Sequence, residues 1–428
     1  MSTQKLETLA IHAGLSKESG GEPSRAPALH RTTAYNFRDT THAANLFALK
    51  ELGYIYTRLH NPTQDVLEQR LAALDGGAAA LALASGTSAV FYSIINIAGT
   101  GDEIVSSSHL YGGTYTMFND ILPQFGITVR FVDPTDLAAI EAAINDRTRA
   151  VFLETIGNPG LTVPDFEAVA EVAHRFGLPL IADATFTTPA LFRPLDHGVD
   201  IAVYSLTKWI GGHGTGIGGA VVDSGRFDWK NPKFRTLNEP DGSYHDVRFA
   251  HDLGDLSPLA YILRMRLVPL RNLGAAIAPD NAWIFLQGIE TLGLRMERHS
   301  ENGAAVAEYL EKHPKVEWVR YPGLKGHPTH AHAKKYFTKG FGGMVVFGIK
   351  GGRSAGETFI NGVELFSHVA NVGDAKSLAI HPASTTHSQL DDTQQAEADV
   401  DAGLVRLSVG IEHIDDILAD LEQSLAKV

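Results

Sequence analysis

Tyr204 to Gly214 reads YSLTKWIGGHG, and the run that leads into it, Ile201 to Leu206, is apolar enough for a buried strand. Lys208 follows at once, and glycines crowd the segment from Gly211 to Gly219. A lysine at such a strand end lies in a crevice, where burial lowers the pKa of an ammonium. The neutral amine is a nucleophile suited to an aldehyde. Ser205 and Thr207 flank it with hydroxyls able to hold a phosphate. Upstream, LPLIADATF (Leu178 to Phe186) reads as a second buried strand that ends in Asp183. An amine for an aldehyde, a carboxylate for a pyridinium nitrogen and hydroxyls for a phosphate together describe a pyridoxal phosphate site.

Taken singly, each residue has a plainer reading: a solvated loop lysine, an aspartate capping a turn. The pair gains weight because both stand at carboxyl ends of strands, where open α/β sheets bind ligands. Ser85-Gly86-Thr87-Ser88 forms a strand-to-helix turn whose backbone N–H groups can receive phosphate oxygens. Tyr111, just past the strand-like stretch Glu103 to Ser107, brings a ring able to stack on a pyridine.

The 428 residues exceed one simple core, so two domains are expected. A net charge of −13 argues against nucleic acid or acidic membranes as partners. No apolar run approaches the roughly 20 residues of a membrane span. The start, MSTQKLETLAIHAG, lacks the pattern of a signal peptide. With no cysteine, disulfides, thiolate zinc ligands and a thiol nucleophile are excluded, and a reducing cytoplasm is the expected compartment.

Residues 1–62 carry no sustained periodicity and read as an arm. From Thr63 to about Asp223 strand and helix patterns alternate, which predicts a mostly parallel sheet covered by helices. PDFEAVAEVAHRFG is expected to be a helix with proline in its first turn. Residues 224 to about 270 are polar and turn-rich and read as an insertion. Pro279 to Leu310 is helical with a bend near Gly288 to Gly293, and Ile414 to Ala426 is a final amphipathic helix. The expected units are 1–62, a cofactor domain over 63–270 and a smaller domain over 271–428.

Two signals are set aside. GTGIGG (Gly214 to Gly219) matches a dinucleotide fingerprint but runs into a strand instead of opening a helix. His327, His330 and His332 have no acidic companions and do not share one helix face, so no metal site is expected. His387, near the last motifs, is as readily structural as functional.

TRLHNPT (Thr57 to Thr63), ASGTSA (Ala84 to Ala89), HLYGGTY (His109 to Tyr115), ETIGNP (Glu154 to Pro159), DATF (Asp183 to Phe186), SLTKWIGGHG, SLAIHPASTTH (Ser377 to His387) and VRLSVGIEH (Val405 to His413) follow one another in order. With them the chain resembles, nearly end to end, the pyridoxal-phosphate enzymes of cysteine and methionine metabolism. The resemblance implies an aspartate-aminotransferase-like α/β fold (fold type I), with a smaller α+β C-terminal domain. It implies that Lys208 joins the cofactor aldehyde and serves as base at the substrate Cα, and that Asp183 partners the ring nitrogen. Tyr111 is implied as the stacking and acid–base group. Gly86, Thr87, Ser205 and Thr207 hold the phosphate, and Thr185 lies near the ring. Asn158 contacts the ring oxygen and the substrate carboxylate region, and Ser377 and Arg406 clamp the α-carboxylate. Tyr56 and Arg58 would reach the site of a neighbouring subunit, in a homo-oligomer built as a dimer of dimers.

Within the family, the polar insertion after Gly225, GIETLGLRMERH (Gly288 to His299) and GDAKSL (Gly373 to Leu378) are similar to homoserine-ester sulfhydrylases. Cystathionine enzymes usually carry a glutamate in place of Lys376. Methionine γ-lyases usually place a cysteine where Gly113 stands. ETIGNP departs from the common wording at Thr155-Ile156-Gly157. The implied reaction replaces acetate by sulfide, or by methanethiol, on O-acetylhomoserine. O-succinylhomoserine sulfhydrylase and cystathionine γ-synthase stay open, as does, remotely, a metal-dependent or non-catalytic binding protein.

Overall fold

Residues 79–223 form one seven-stranded sheet in a computed structural model that describes residues 4–15, 24–385 and 401–428. Its strands are β1 (Ala79–Leu83), β2 (Glu103–Ser107), β3 (Thr128–Val132), β4 (Thr148–Glu154), β5 (Leu180–Asp183), β6 (Ile201–Ser205) and β7 (Gly219–Asp223). The order is β1-β7-β6-β5-β4-β2-β3. All neighbours are parallel except β7, which is antiparallel to β1 and to β6. Helices cover both faces, so the central strands read as apolar runs instead of alternating. Parallel registry brings the ends of β4, β5 and β6 to one edge, with Glu154 beside Asp183 and Asp183 beside Val203.

Local chemistry sets the helix ends. The helix Pro62–Asp75 starts with Asn61 accepting the Thr63 N–H and Pro62 in the first turn, and ends at Gly76 with φ 71°. The helix Phe166–Arg175 is capped by Asp165, so the expected proline precedes the cap instead of occupying the first turn. The expected bend is a break at Thr291 between the helices Pro279–Glu290 and Leu292–Glu311.

The segment 224–270 differs from a polar insertion. Trp229, Phe234, Tyr244, Phe249 and Tyr261 are buried in the core on one side of the large sheet. Its turns hide the apolar content because the aromatic residues follow no single period.

A second sheet holds β8 (Val316–Arg320), β9 (Met344–Ile349), β10 (Ser367–His368), β11 (Leu378–Ile380) and β12 (Leu404–Ser408), in the order β10-β11-β12-β9-β8. The helices Gly352–Gly362 and Ile414–Lys427 pack on it. Phe285, Leu286 and Ile289 pack with the large-sheet core, whereas the second core begins at Val306. We therefore propose a domain boundary within the helix Leu292–Glu311, later than residue 270. The helix Leu6–His12 packs Leu9 and Ala10 on its own chain, and the buried Arg70 donates to the Ala13 and Ile11 carbonyls. The Thr63 hydroxyl and Trp283 tie Pro27, Ala28 and His30 to the same chain as well, so an arm free to reach a neighbour would begin after residue 31. Among the described residues no helix is long and apolar enough to cross a membrane.

One buried acid ties β6 to the helix Pro62–Asp75. Tyr204 donates to Asp75 at 2.6 Å, and burial raises the fully buried Asp75 carboxyl to about 7. A carboxyl with a raised folded pKa holds its proton longer in the native state, so stability falls as pH rises from its unfolded value of 3.8 to about 7. Each pH unit in that window removes about 1.4 kcal/mol at most. Asp75→Asn is expected to gain stability over wild type progressively across this window and to level off above it, as read by urea melts from pH 4 to pH 8. A gap that narrows with rising pH would contradict this.

Candidate active site

Asp183 ends β5 half-buried, and its Oδ1 accepts both the Thr185 N–H (2.9 Å) and the Thr185 hydroxyl (2.5 Å). Oδ2 has no hydrogen-bond partner among the described residues. Burial raises the carboxyl to about 6, the two Thr185 bonds opposing. The Thr185 oxygen also accepts the Ser205 N–H at 2.8 Å, so one hydroxyl joins the ends of β5 and β6.

Gly86, first residue of the helix Gly86–Ile95, presses against β6. A Cβ there would lie 2.6 Å from the Ser205 Cβ. Ser85 caps the Ser88 N–H and leaves the Gly86 and Thr87 amides uncapped beside the Ser205 hydroxyl. Thr207 is different: its hydroxyl donates to the Gly218 carbonyl and accepts the Gly218 N–H, so it braces the glycine loop.

Lys208 sits half-buried behind this turn. Its Nζ donates to Asn371 Oδ1 at 2.5 Å, across the gap to the second sheet's side. Burial holds the ammonium below its usual pKa, and the Arg406 charge adds to the shift. The side chain of Arg406, on β12, has no hydrogen bond or ion pair among the described residues. Burial lowers its guanidinium to about 10, with the Tyr111 phenol opposing that shift. An unpaired, desolvated guanidinium attracts a carboxylate, which it can hold by two parallel bonds.

Tyr111 is 55% exposed, while its backbone N–H donates to Glu154 Oε1 at 2.7 Å. Glu154 is buried, and burial followed by the Asp183 charge raises its carboxyl well above the usual value. Asn158 is buried, and its side chain has no hydrogen bond among the described residues.

Ser377 differs from the expectation. Its hydroxyl donates to Glu412 and accepts the Gly410 N–H, and its own N–H donates to Glu412. Both of its polar groups are thereby committed inside the fold, and Asn371 stands beside Lys208 in its stead. Tyr56 and Arg58 lie exposed on the arm, with the guanidinium 5.4 Å from the Tyr56 ring centroid. Neither side chain bonds to the residues around Lys208. His387 lies outside the described residues.

The rear of the site is held by one long helix. Arg295, from Leu292–Glu311, donates to the carbonyls of Trp209 (2.7 Å), Ile210 (3.0 Å) and Gly288 (2.6 Å). Further along, His299 bonds the Val409 carbonyl and Asn302 donates to the Gly410 and Glu412 carbonyls.

Residues 7–426 match the family described as Cys/Met metabolism PLP-dependent enzymes. The chain belongs to this family. Among its relatives, the O-acetyl-L-homoserine sulfhydrylase of Leptospira meyeri is 55% identical, covering 99% of this chain and 97% of that protein. The homocysteine synthase of Schizosaccharomyces pombe is 52% identical, covering 99% and 98%. A Campylobacter jejuni crystal structure that carries an N'-pyridoxyl-lysine-5'-monophosphate superposes with a TM-score of 0.94 at 41% identity, covering 99% of this chain and all of that one. The MetB structure from Corynebacterium glutamicum gives 0.84 at 32% identity, covering 99% and 98%. The fold is that of the family's α/β enzymes, and pyridoxal phosphate is its cofactor.

The residues fit that group. Among the described residues, the unpartnered Asp183 Oδ2, the uncapped amides at Gly86 and Thr87, the free Ser205 hydroxyl and the Lys208 amine with its lowered pKa supply what a pyridine nitrogen, a phosphate and an aldehyde need. His327, His330 and His332 bond to the carbonyls of Gly160, Pro322 and Val163. His60, Asp65 and Glu68 approach one another like metal ligands, but Arg266 and the Ala82 N–H already bond the Glu68 oxygens.

Proposed function

We propose that this chain replaces the acetate of O-acetyl-L-homoserine by sulfide, or by methanethiol, giving L-homocysteine or L-methionine. The carrying observation is that the depressed Lys208 amine and the unpaired Arg406 guanidinium face one gap. The names of the Leptospira and yeast relatives support the ester and the sulfur donor.

Pyridoxal phosphate, when bound, supplies an aldehyde that joins amines and a ring that draws electrons from the neighbouring carbon. Asp183 Oδ2 would hold the ring nitrogen protonated, and Thr185 would fix that carboxylate. Gly86, Thr87 and Ser205 would receive the phosphate, with Thr207 keeping the glycine loop in place. Arg406 would bind the α-carboxylate and so turn the Cα–H toward Lys208, with Asn158 and Asn371 at its sides. Lys208 takes that proton as base and later returns one. Tyr111 handles protons near Cγ, where the C–O bond breaks with its electron pair leaving on acetate and a C–S bond forms to the incoming sulfide. Ser377 would act through Glu412, holding the strand end near Arg406.

Steady-state rates with acetyl, succinyl and phospho esters of homoserine, each against sulfide, methanethiol and cysteine, test the reading. The acetyl ester with sulfide or methanethiol is expected to give the highest kcat/KM. A higher value for the succinyl ester, or for cysteine as the thiol, overturns it in favour of the neighbouring activities. Bound zinc without yellow colour would point to a metal protein.

We propose further that the enzyme works in the cytoplasm as a dimer of dimers, with Tyr56 and Arg58 serving the partner subunit's phosphate site. The support is an exposed guanidinium on an arm that also exposes Phe37, Phe47 and Leu52. Mixing inactive Arg58→Ala with inactive Lys208→Ala should then restore activity. About half of freely reassorted dimers are mixed, each with one intact site of two, so recovery approaches about a quarter of wild type. No recovery after verified exchange would place Arg58 in its own chain's site.

A further inference from the structure

Tyr111 has a fixed backbone and a loose ring. Its N–H is held by the buried Glu154, and its carbonyl accepts the Thr114 and Tyr115 N–H groups. The ring is more than half exposed and lies across the first turn of the short helix Gly112–Thr116. There it rests on Gly113, where a Cβ would come within 2.5 Å of the ring Cε1 and 3.1 Å of Cζ. Gly113 is helical, and its φ is outside the left-handed region, so the backbone does not require glycine. Its missing side chain serves the ring.

We infer that Gly113 is a positioning residue that lets the Tyr111 ring take its place facing Arg406, while Glu154 anchors the same residue from beneath. The inference rests on the reading of Tyr111 as a group at the reacting atoms. With the ring seated as it is in this chain, a Cβ at 113 would displace it by roughly the 1 Å between a clash and an ordinary contact, and a misplacement of that size costs on the order of 10²-fold in rate. The helix itself gains from the same change, because alanine is the better helix former.

Gly113→Ala, Tyr111→Ala and the double variant, prepared as holoenzymes, test this. Gly113→Ala is expected to lower kcat by about 10- to 10²-fold at saturating ester and sulfide. It should alter the visible circular dichroism of the bound cofactor, with cofactor content unchanged and melting temperature equal or higher. In the Tyr111→Ala background the same change is expected to alter kcat by about two-fold or less, since its target is gone. Equal losses in both backgrounds, or a single variant with unaltered kcat and dichroism, overturn the role of Gly113 and leave the proposed reaction standing. Wild-type turnover by Tyr111→Ala overturns both. Should Gly113→Ala fold poorly, Gly113→Ser read by dichroism alone decides between the same outcomes.

Discussion

Lys208→Ala is expected to lower turnover by at least about 10³-fold while leaving the fold intact. On the proposed reading, the Lys208 amine is placed to join an aldehyde and then to carry the Cα proton. Burial, followed by the Arg406 charge, holds its pKa below that of an exposed lysine, which favours the neutral amine. Far-ultraviolet dichroism should match wild type, and borohydride should fix no pyridoxyl group in the chain. A reduced pyridoxyl group recovered on another lysine of the variant, with turnover retained, would sink the assignment, because that amine would then be the one that joins the aldehyde.

Asp183→Asn is the second large effect. The variant should keep its cofactor and lose about 10²- to 10³-fold in kcat, the loss typical of one misplaced charge partner in a closed site. An amide still fits between Thr185 and the ring, but it cannot hold the ring nitrogen protonated. The wild-type carboxyl titrates near 6 in the free protein. Below that pH it is neutral, so cofactor binding to the apoprotein should weaken as pH falls through about 6, and above it the carboxylate should be fully engaged. That step should be smaller in Asp183→Asn, leaving the dependence due to Lys208 and to the cofactor phosphate, whose second proton leaves at about pH 6. Near wild-type turnover at saturating substrate, or an unchanged step in the binding profile, would mean that another group serves the nitrogen.

The parts of the site legible in sequence are those fixed by neighbours in the chain. β5 and β6 are apolar runs that end in polar residues, and the glycines after Lys208 announce a close backbone approach. Lys208, Asp183 and the Ser85–Ser88 turn follow from such local patterns, and the parallel sheet follows from their alternation. What was hidden depends on distant partners. Asn371 meets Lys208 across 163 residues of chain. Ser377 looks like a free hydroxyl until Glu412, 35 residues on, takes it up. Thr207 carries the expected residue type but spends it on Gly218. Glu154 stood within a quoted motif, yet its burial beside Asp183 comes from strand register, which one sequence does not display. In the segment 224–270 the turn residues are visible and the aromatic packing between them is not.

The helix Leu292–Glu311 acts as a rigid spacer. One end grips the backbone just after the lysine, and the other grips the strand end that carries Arg406. The backbone segments beside the amine and the guanidinium are thus mounted on a common strut, which should hold their separation. Such a gauge sorts substrates by geometry. An α-amino acid presents its carboxylate one carbon from the C–H to be broken, at the span the strut sets. If Arg406 binds the carboxylate as proposed, a β-amino acid, longer by one carbon, would dock there with its reactive hydrogen out of the lysine's reach. The enzyme should therefore tolerate a range of groups at the far end of the substrate, where no such strut exists, and almost none at the near end.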